Sequence, residues 1–158
     1  MNNQYNKGIS IIEILVVIAI IVVVTAITVP TLSKFRSEQA LRNTAEDIMS
    51  LLNQARFDTQ ASLNSSNYSV YIESNQATYF VGSVYSSNAS TNKRITYNSA
   101  VTISSPSGFS LNGGGSTVTF NRLTGETSNY GTITIRLSSD ATRTRVITIS
   151  KAGAISSS

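Results

Sequence analysis

Lys7-Gly8-Ile9-Ser10-Ile11-Ile12-Glu13-Ile14-Leu15 opens the decisive stretch, and an unbroken apolar run continues it to Val24. Thr25 and Thr28 barely interrupt the continuation to Val29, and Pro30 comes next. Ile9 to Val29 would be about 31 Å long as a helix, enough to cross a hydrocarbon core of about 30 Å. Its β-branched residues favour strand in water. In lipid every backbone group must be satisfied within the segment, so helix wins. Ahead of the run, Met1 to Gly8 is polar, with one cation at Lys7.

Three readings of this start compete. A secretory signal peptide would be cut at a small-residue site such as Val24-Thr25-Ala26. A plain anchor would stay whole. A short leader could instead be cut after Gly8, leaving the apolar helix on the mature chain. Glu13 decides for the third. A carboxylate near the start of an apolar helix costs up to about 3 kcal/mol at mid-membrane. Neither a signal peptide nor a simple anchor gains anything from it. A subunit that docks in register gains if Glu13 meets a neighbour's cation.

On these residues the chain resembles the type IV pilin and pseudopilin family, in which a glycine precedes the cut and a glutamate lies fifth after it. The resemblance implies cleavage after Gly8 by prepilin peptidase, with Lys7 on the cytoplasmic side. It also implies methylation of the new amino terminus at Ile9, where the family usually has Phe. Assembly roles fall to Glu13 and to Pro30, the family's helix-kinking proline. A bend or melted turn is expected there, because proline removes a helical hydrogen bond and clashes with the preceding turn. The implied partners are other pilin or pseudopilin subunits, prepilin peptidase, an inner-membrane assembly platform and membrane lipid. The implied location is the bacterial cytoplasmic membrane, single-pass, with the globular part outside the cytoplasm.

Working outward, Leu41, Ala45, Ile48, Leu52, Ala55 and Thr59 alternate steps of four and three, one stripe of an amphipathic helix. That helix should pack on the β-rich remainder of the chain. It should stop at Asn64-Ser65-Ser66-Asn67, whose side chains compete for backbone hydrogen bonds. After Asn67 the period becomes two. Expected strands are Tyr68–Ile72, Ala77–Val84, Arg94–Tyr97, Val101–Ser104, Ser116–Asn121, Gly131–Leu137 and Arg145–Ser150, with a short last one at Ala154-Ile155. Turn chemistry separates them, as in Ser105-Pro106-Ser107-Gly108 and Asn112-Gly113-Gly114-Gly115. The expected fold is therefore α+β, a long helix carrying a small antiparallel β sandwich like a lollipop. Its parts are a leader at 1–8, a transmembrane helix at 9–30, an amphipathic helix at 31–64 and a β-rich domain at 65–158. The closing run from Val118-Thr119-Phe120 through Gly125, Gly131–Ile135 and Arg145–Ser150 to Gly153 resembles H-type pseudopilins of type II secretion and FimT-like minor pilins. Ala55-Arg56 fits them too.

Composition narrows the chemistry. The chain has 158 residues, with no Cys and no His. Disulfides, thiolate and imidazole metal sites and the usual nucleophile–base pairs are thereby excluded. No serine has a nucleophile-elbow context, and the acids of the soluble part are too scattered for a calcium cage. No cofactor is implied, and the chain reads as a structural subunit rather than an enzyme. Net charge is +4, and loss of Lys7 with the leader makes it +3, eleven basic against eight acidic side chains. Arg143, Arg145 and Lys151, with Arg136 on the preceding strand, are the candidate contacts to DNA. FimT-like pilins use a basic carboxy-terminal stretch in DNA uptake, but their arginine after the late glycine is replaced here by Ala154. The expected role is minor pilin or H-type pseudopilin, with major pilin and DNA-binding minor pilin as alternatives.

Overall fold

The computed structural model describes residues 9–104 and 108–158, with backbone alone at 27–31. The leader, including Lys7 and Gly8, lies outside the described residues, as do most of the turn at 105–108 and the side chain of Pro30. Among the described residues, helix α1 (Ile11–Gln60) leads into a short 3-10 turn (Leu63–Ser65) and nine strands. These are β1 (Tyr68–Ile72), β2 (Gln76–Val81), β3 (Lys93–Thr96), β4 (Val101–Ile103), β5 (Phe109–Leu111), β6 (Thr117–Thr119), β7 (Gly131–Leu137), β8 (Thr144–Ile149) and β9 (Ile155–Ser157). The fold is α+β: one long amino-terminal helix, then antiparallel sheets. Two compact units divide at Arg36, one of residues 1–36 and one of 37–158.

The helix departs from expectation in two places. Its backbone runs unbroken through Pro30, so no turn is melted there. The missing N–H removes one rung, and the rungs on either side keep the helix going. At the other end the helix stops at Gln60 rather than at Asn64. Ser62, Asn64 and Ser65 take left-handed backbone angles, which end the regular α pattern.

In the carboxy-terminal unit the sheets run β3-β2-β1-β6 and β4-β7-β8-β9, with β5 also on β7. Register explains the core. Val70 lies opposite both Tyr79 and Val118, and Ile135 opposite Ile103. Directly paired residues share a face, so each sheet presents one aliphatic face inward. Against them lies the α1 stripe of Leu41, Ala45, Ile48, Leu52 and Ala55, joined by Leu51. All are nearly inaccessible, and each large side chain so buried is worth about 1.5–3 kcal/mol. Thr59 closes the stripe with a polar clasp: its Oγ1 accepts from the Tyr68 N–H at 2.9 Å.

Strand ends differ from expectation by a few residues. The expected second strand ends at Val81 rather than Val84, because Gly82 turns the chain at φ +100. The chain then folds over the outer face of the first sheet. Tyr85 stacks on Tyr71 at 4.3 Å between centroids and meets Phe80 edge-on at 5.4 Å. Phe80 is thus buried outside the main core. Strand β5 has no counterpart among the expected strands. It holds one end of the β7 edge while β4 holds the other.

Candidate functional site

The amino-terminal unit begins with a built helix start. The Ser10 carbonyl accepts from the Glu13 N–H at 3.0 Å and from the Ile14 N–H at 3.3 Å. Ser10 therefore stands at the N-cap and Glu13 at the third helical position, the spacing of a capping box. A carboxylate there also faces the positive end of the helix dipole. Ile9 precedes the helix and is exposed.

From Ile14 to Val24 the helix is apolar all round. Every large aliphatic side chain from Ile9 to Val24 is 48–80% exposed. Thr25, at the end of this run, donates its hydroxyl to the Ile21 carbonyl at 2.7 Å, so it presents no unpaired donor. A helix apolar on all sides needs cover from lipid or from other helices. The expected span Ile9–Val29 ends in residues whose side chains lie outside those described. Among the described residues, no helix is long and apolar enough to cross a membrane.

The four basic residues singled out in the sequence do not come together. Arg136 pairs across the sheet with Thr144 and lies between the buried Ile135 and Leu137, so it projects from the outer face. Arg145 sits opposite Ile135, on the inner face with Ile147 and Ile149. Arg143, in the β7–β8 turn, ion-pairs with Glu38 of α1 and with Asp140 at 3.7 Å. Lys151 is exposed at the opposite end of β8, about 20 Å from that turn at roughly 3.3 Å per residue. Strand alternation separates what sequence proximity suggested.

Arg145 instead meets α1. With Arg42, Ala45, Glu46 and Ser157 it lines an open notch of about 250 Å³. Helical period alone puts Arg42 and Glu46 off the core stripe, in solvent; only the register of β8 reveals their neighbour. Arg56, singled out beside Ala55, reaches under the β8–β9 turn, where its Nη2 donates to the Ala152 carbonyl at 3.4 Å.

Comparison with known proteins bears on the first of these regions. Residues 3–29 match the family described as the prokaryotic N-terminal methylation motif. That stretch contains Gly8, Ile9 and Glu13, and it supports a leader of the type IV pilin kind on a pilin-like structural subunit. No curated protein and no solved structure matches the chain.

Proposed function

We propose that the chain is a structural subunit of a type IV pilus or of a type II secretion pseudopilus, made as a precursor and matured by prepilin peptidase. The match of residues 3–29 to the methylation motif carries this reading. The chemistry agrees. Gly8 offers the peptidase a scissile bond without a side chain beside it, and Lys7 keeps the leader on the cytoplasmic face. Ile9 becomes the methylated amino terminus. The exposed apolar surface from Ile9 onward then anchors the precursor in the cytoplasmic membrane as a single pass. In the filament that surface packs on other subunits. The carboxy-terminal unit lies outside the cytoplasm. Within this class we assign a minor pilin or H-type pseudopilin, on the resemblance of the closing strands.

Intact-mass analysis of the chain from membranes tests the reading. A mature chain beginning at Ile9 is expected, and Gly8→Leu should leave full-length precursor in the membrane. A mature chain beginning at Ile27 would instead identify a signal peptide. The share of this chain in sheared filaments separates a minor subunit from a major one.

A further inference from the structure

Leu32-Ser33-Lys34-Phe35-Arg36 closes the amino-terminal unit and continues α1 without a break. Leu32 is 51% exposed and Phe35 64%, and Lys34 and Arg36 are exposed beside them. Leu32 and Phe35, three residues apart, share one side of the helix. Arg36 adjoins them one turn on from Leu32, and Lys34 falls on the other side. Neither cation has an acid partner. Among the described residues the ion pairs are those of Arg143 with Glu38 and with Asp140, so Glu38, one turn on from Lys34, is already occupied. Water suits the two cations but leaves the apolar pair uncovered. A surface that is apolar at one depth and anionic at the next satisfies both.

Position along the helix shows which such surface is in reach. The apolar run ends at Val29. At roughly 1.5 Å per residue, Leu32 stands about 4.5 Å beyond that end, Lys34 about 7.5 Å and Arg36 about 10.5 Å. If the run fills the hydrocarbon core, the headgroup layer beyond it is roughly 5–7.5 Å thick. Helical side chains lean toward the amino terminus, here back toward the bilayer, and the long Lys and Arg stems carry their charges down into that layer. Leu32 and the Phe35 ring then meet the hydrocarbon border. On the proposed topology both cations follow the span on the translocated side, where Lys and Arg are normally sparse. A lipid phosphodiester there gives that placement a use. Its two free oxygens match the parallel donors of a guanidinium, and its charge suits an ammonium. We propose that Lys34, Phe35 and Arg36 form a site for anionic phospholipid, holding the headgroup phosphate in the outer leaflet of the cytoplasmic membrane. The proposal rests on the membrane-anchor reading and deepens it by naming the lipid. A zwitterionic headgroup carries the same phosphate beside its own ammonium, so phosphatidylglycerol should be preferred to phosphatidylcholine, by roughly fivefold for each cation.

The chain contains no tryptophan, so one introduced indole reports without background. Full-length chain carrying Phe35→Trp is reconstituted in mixed vesicles of phosphatidylglycerol and phosphatidylcholine, with one lipid or the other brominated in its acyl chains. Brominated phosphatidylglycerol should quench the indole at least about fivefold more effectively than brominated phosphatidylcholine at equal mole fraction. Adding Lys34→Gln and Arg36→Gln should abolish the preference. Inorganic phosphate added to the vesicles should leave it unchanged. Val17→Trp, in the middle of the apolar run, reports separately on the span and should be quenched by either lipid. If that indole is quenched but the one at position 35 is not, or is quenched equally by both lipids, the headgroup site is refuted while the membrane reading stands. A preference that survives loss of both cations, or that inorganic phosphate removes, refutes the site as well. If neither indole is quenched, the span and the site fall together.

Discussion

Gly153 packs so closely on Gly125 that a Cβ built on Gly153 would lie 2.0 Å from the Gly125 carbonyl oxygen. Both glycines take left-handed backbone angles, φ +78 and +67. Through this contact the β8–β9 turn meets the β6–β7 turn. The Arg56 side chain comes within 3.0 Å of the same hypothetical Cβ. The clash involves backbone, so no rotamer change relieves it. Gly153→Ala should destabilise the carboxy-terminal unit by about 3 kcal/mol, combining overlap with a strained φ. Thermal unfolding of the purified chain in detergent checks this. Gly114→Ala is the control, since that glycine also has positive φ but meets nothing within 4 Å; it should cost about 1 kcal/mol.

Tyr79 and Tyr97 are both buried, yet they differ in how the hydroxyl is used. Tyr79 donates to the Asp58 carboxylate at 2.7 Å, tying β2 to α1. The Tyr97 hydroxyl is buried without a partner among the described residues. Tyr79→Phe should therefore cost about 1.5 kcal/mol, whereas Tyr97→Phe should be neutral or stabilise by about 1 kcal/mol. Equal losses from the two variants would contradict this assignment.

Burial raises the pKa of both phenols well above the usual tyrosine range. The Asp58 hydrogen bond and charge add to the effect at Tyr79, and the Glu73 charge adds at Tyr97. A raised folded-state pKa favours the protonated fold. This stability is fully present below the unfolded value of about 10 and falls away as the pH rises beyond it. Alkaline titration followed by tyrosinate absorbance should show these two phenols ionising together with unfolding, not before it.

The β7–β8 turn has the opposite pH sign. The Asp140 carboxylate accepts from the Thr142 hydroxyl at 2.6 Å and from its N–H at 3.0 Å. Those hydrogen bonds, with the Arg143 charge, hold its pKa below the usual aspartate value. A lowered folded-state pKa gives stability present above about pH 4 and lost as the pH falls through the folded value. Asp140→Asn should thus lower the melting midpoint at neutral pH, and the difference from the unaltered chain should vanish in acid. A difference that persists undiminished in acid would point to side-chain shape rather than charge.

These contacts divide cleanly by how far they reach along the chain. The stripe from Leu41 to Thr59 and the strands Tyr68–Ile72 and Gly131–Leu137 are legible in the sequence, because each depends on local period. The outer-face cover by Tyr85 and the β5 strand are not, because polar loop composition does not say which face it will coat. The basic residues illustrate the limit best. Arg136, Arg143 and Arg145 are close in sequence, but a two-residue period and a turn send them to an outer face, an ion pair and an inner notch. Pro30 does not act as a breaker because a helix long enough on both sides tolerates one missing rung.

The last expectation concerns Glu13, for which the proposed function implies two separable roles. As the third residue of α1 it stands at the capping-box position relative to Ser10, a position that Gln suits equally well. As a carboxylate it can also meet an amino-terminal cation. On the proposed cleavage behind Gly8, that cation would be the α-amine of Ile9, at the edge of an apolar helix where an unpaired charge is costly. Pairing within one chain would neutralise it, while pairing between chains would also set their axial register. Glu13→Gln preserves the cap and removes the charge. It should leave insertion, cleavage and helix content unchanged and sharply reduce entry into filaments. Ser10→Ala does the reverse, loosening the cap by about 1 kcal/mol while keeping the charge, and should assemble nearly normally. Sheared filaments compared with total membrane protein give the measurement. Normal incorporation of the Gln variant would mean that apolar packing alone sets the register, and a defect confined to Ser10→Ala would mean that helix capping is what assembly requires.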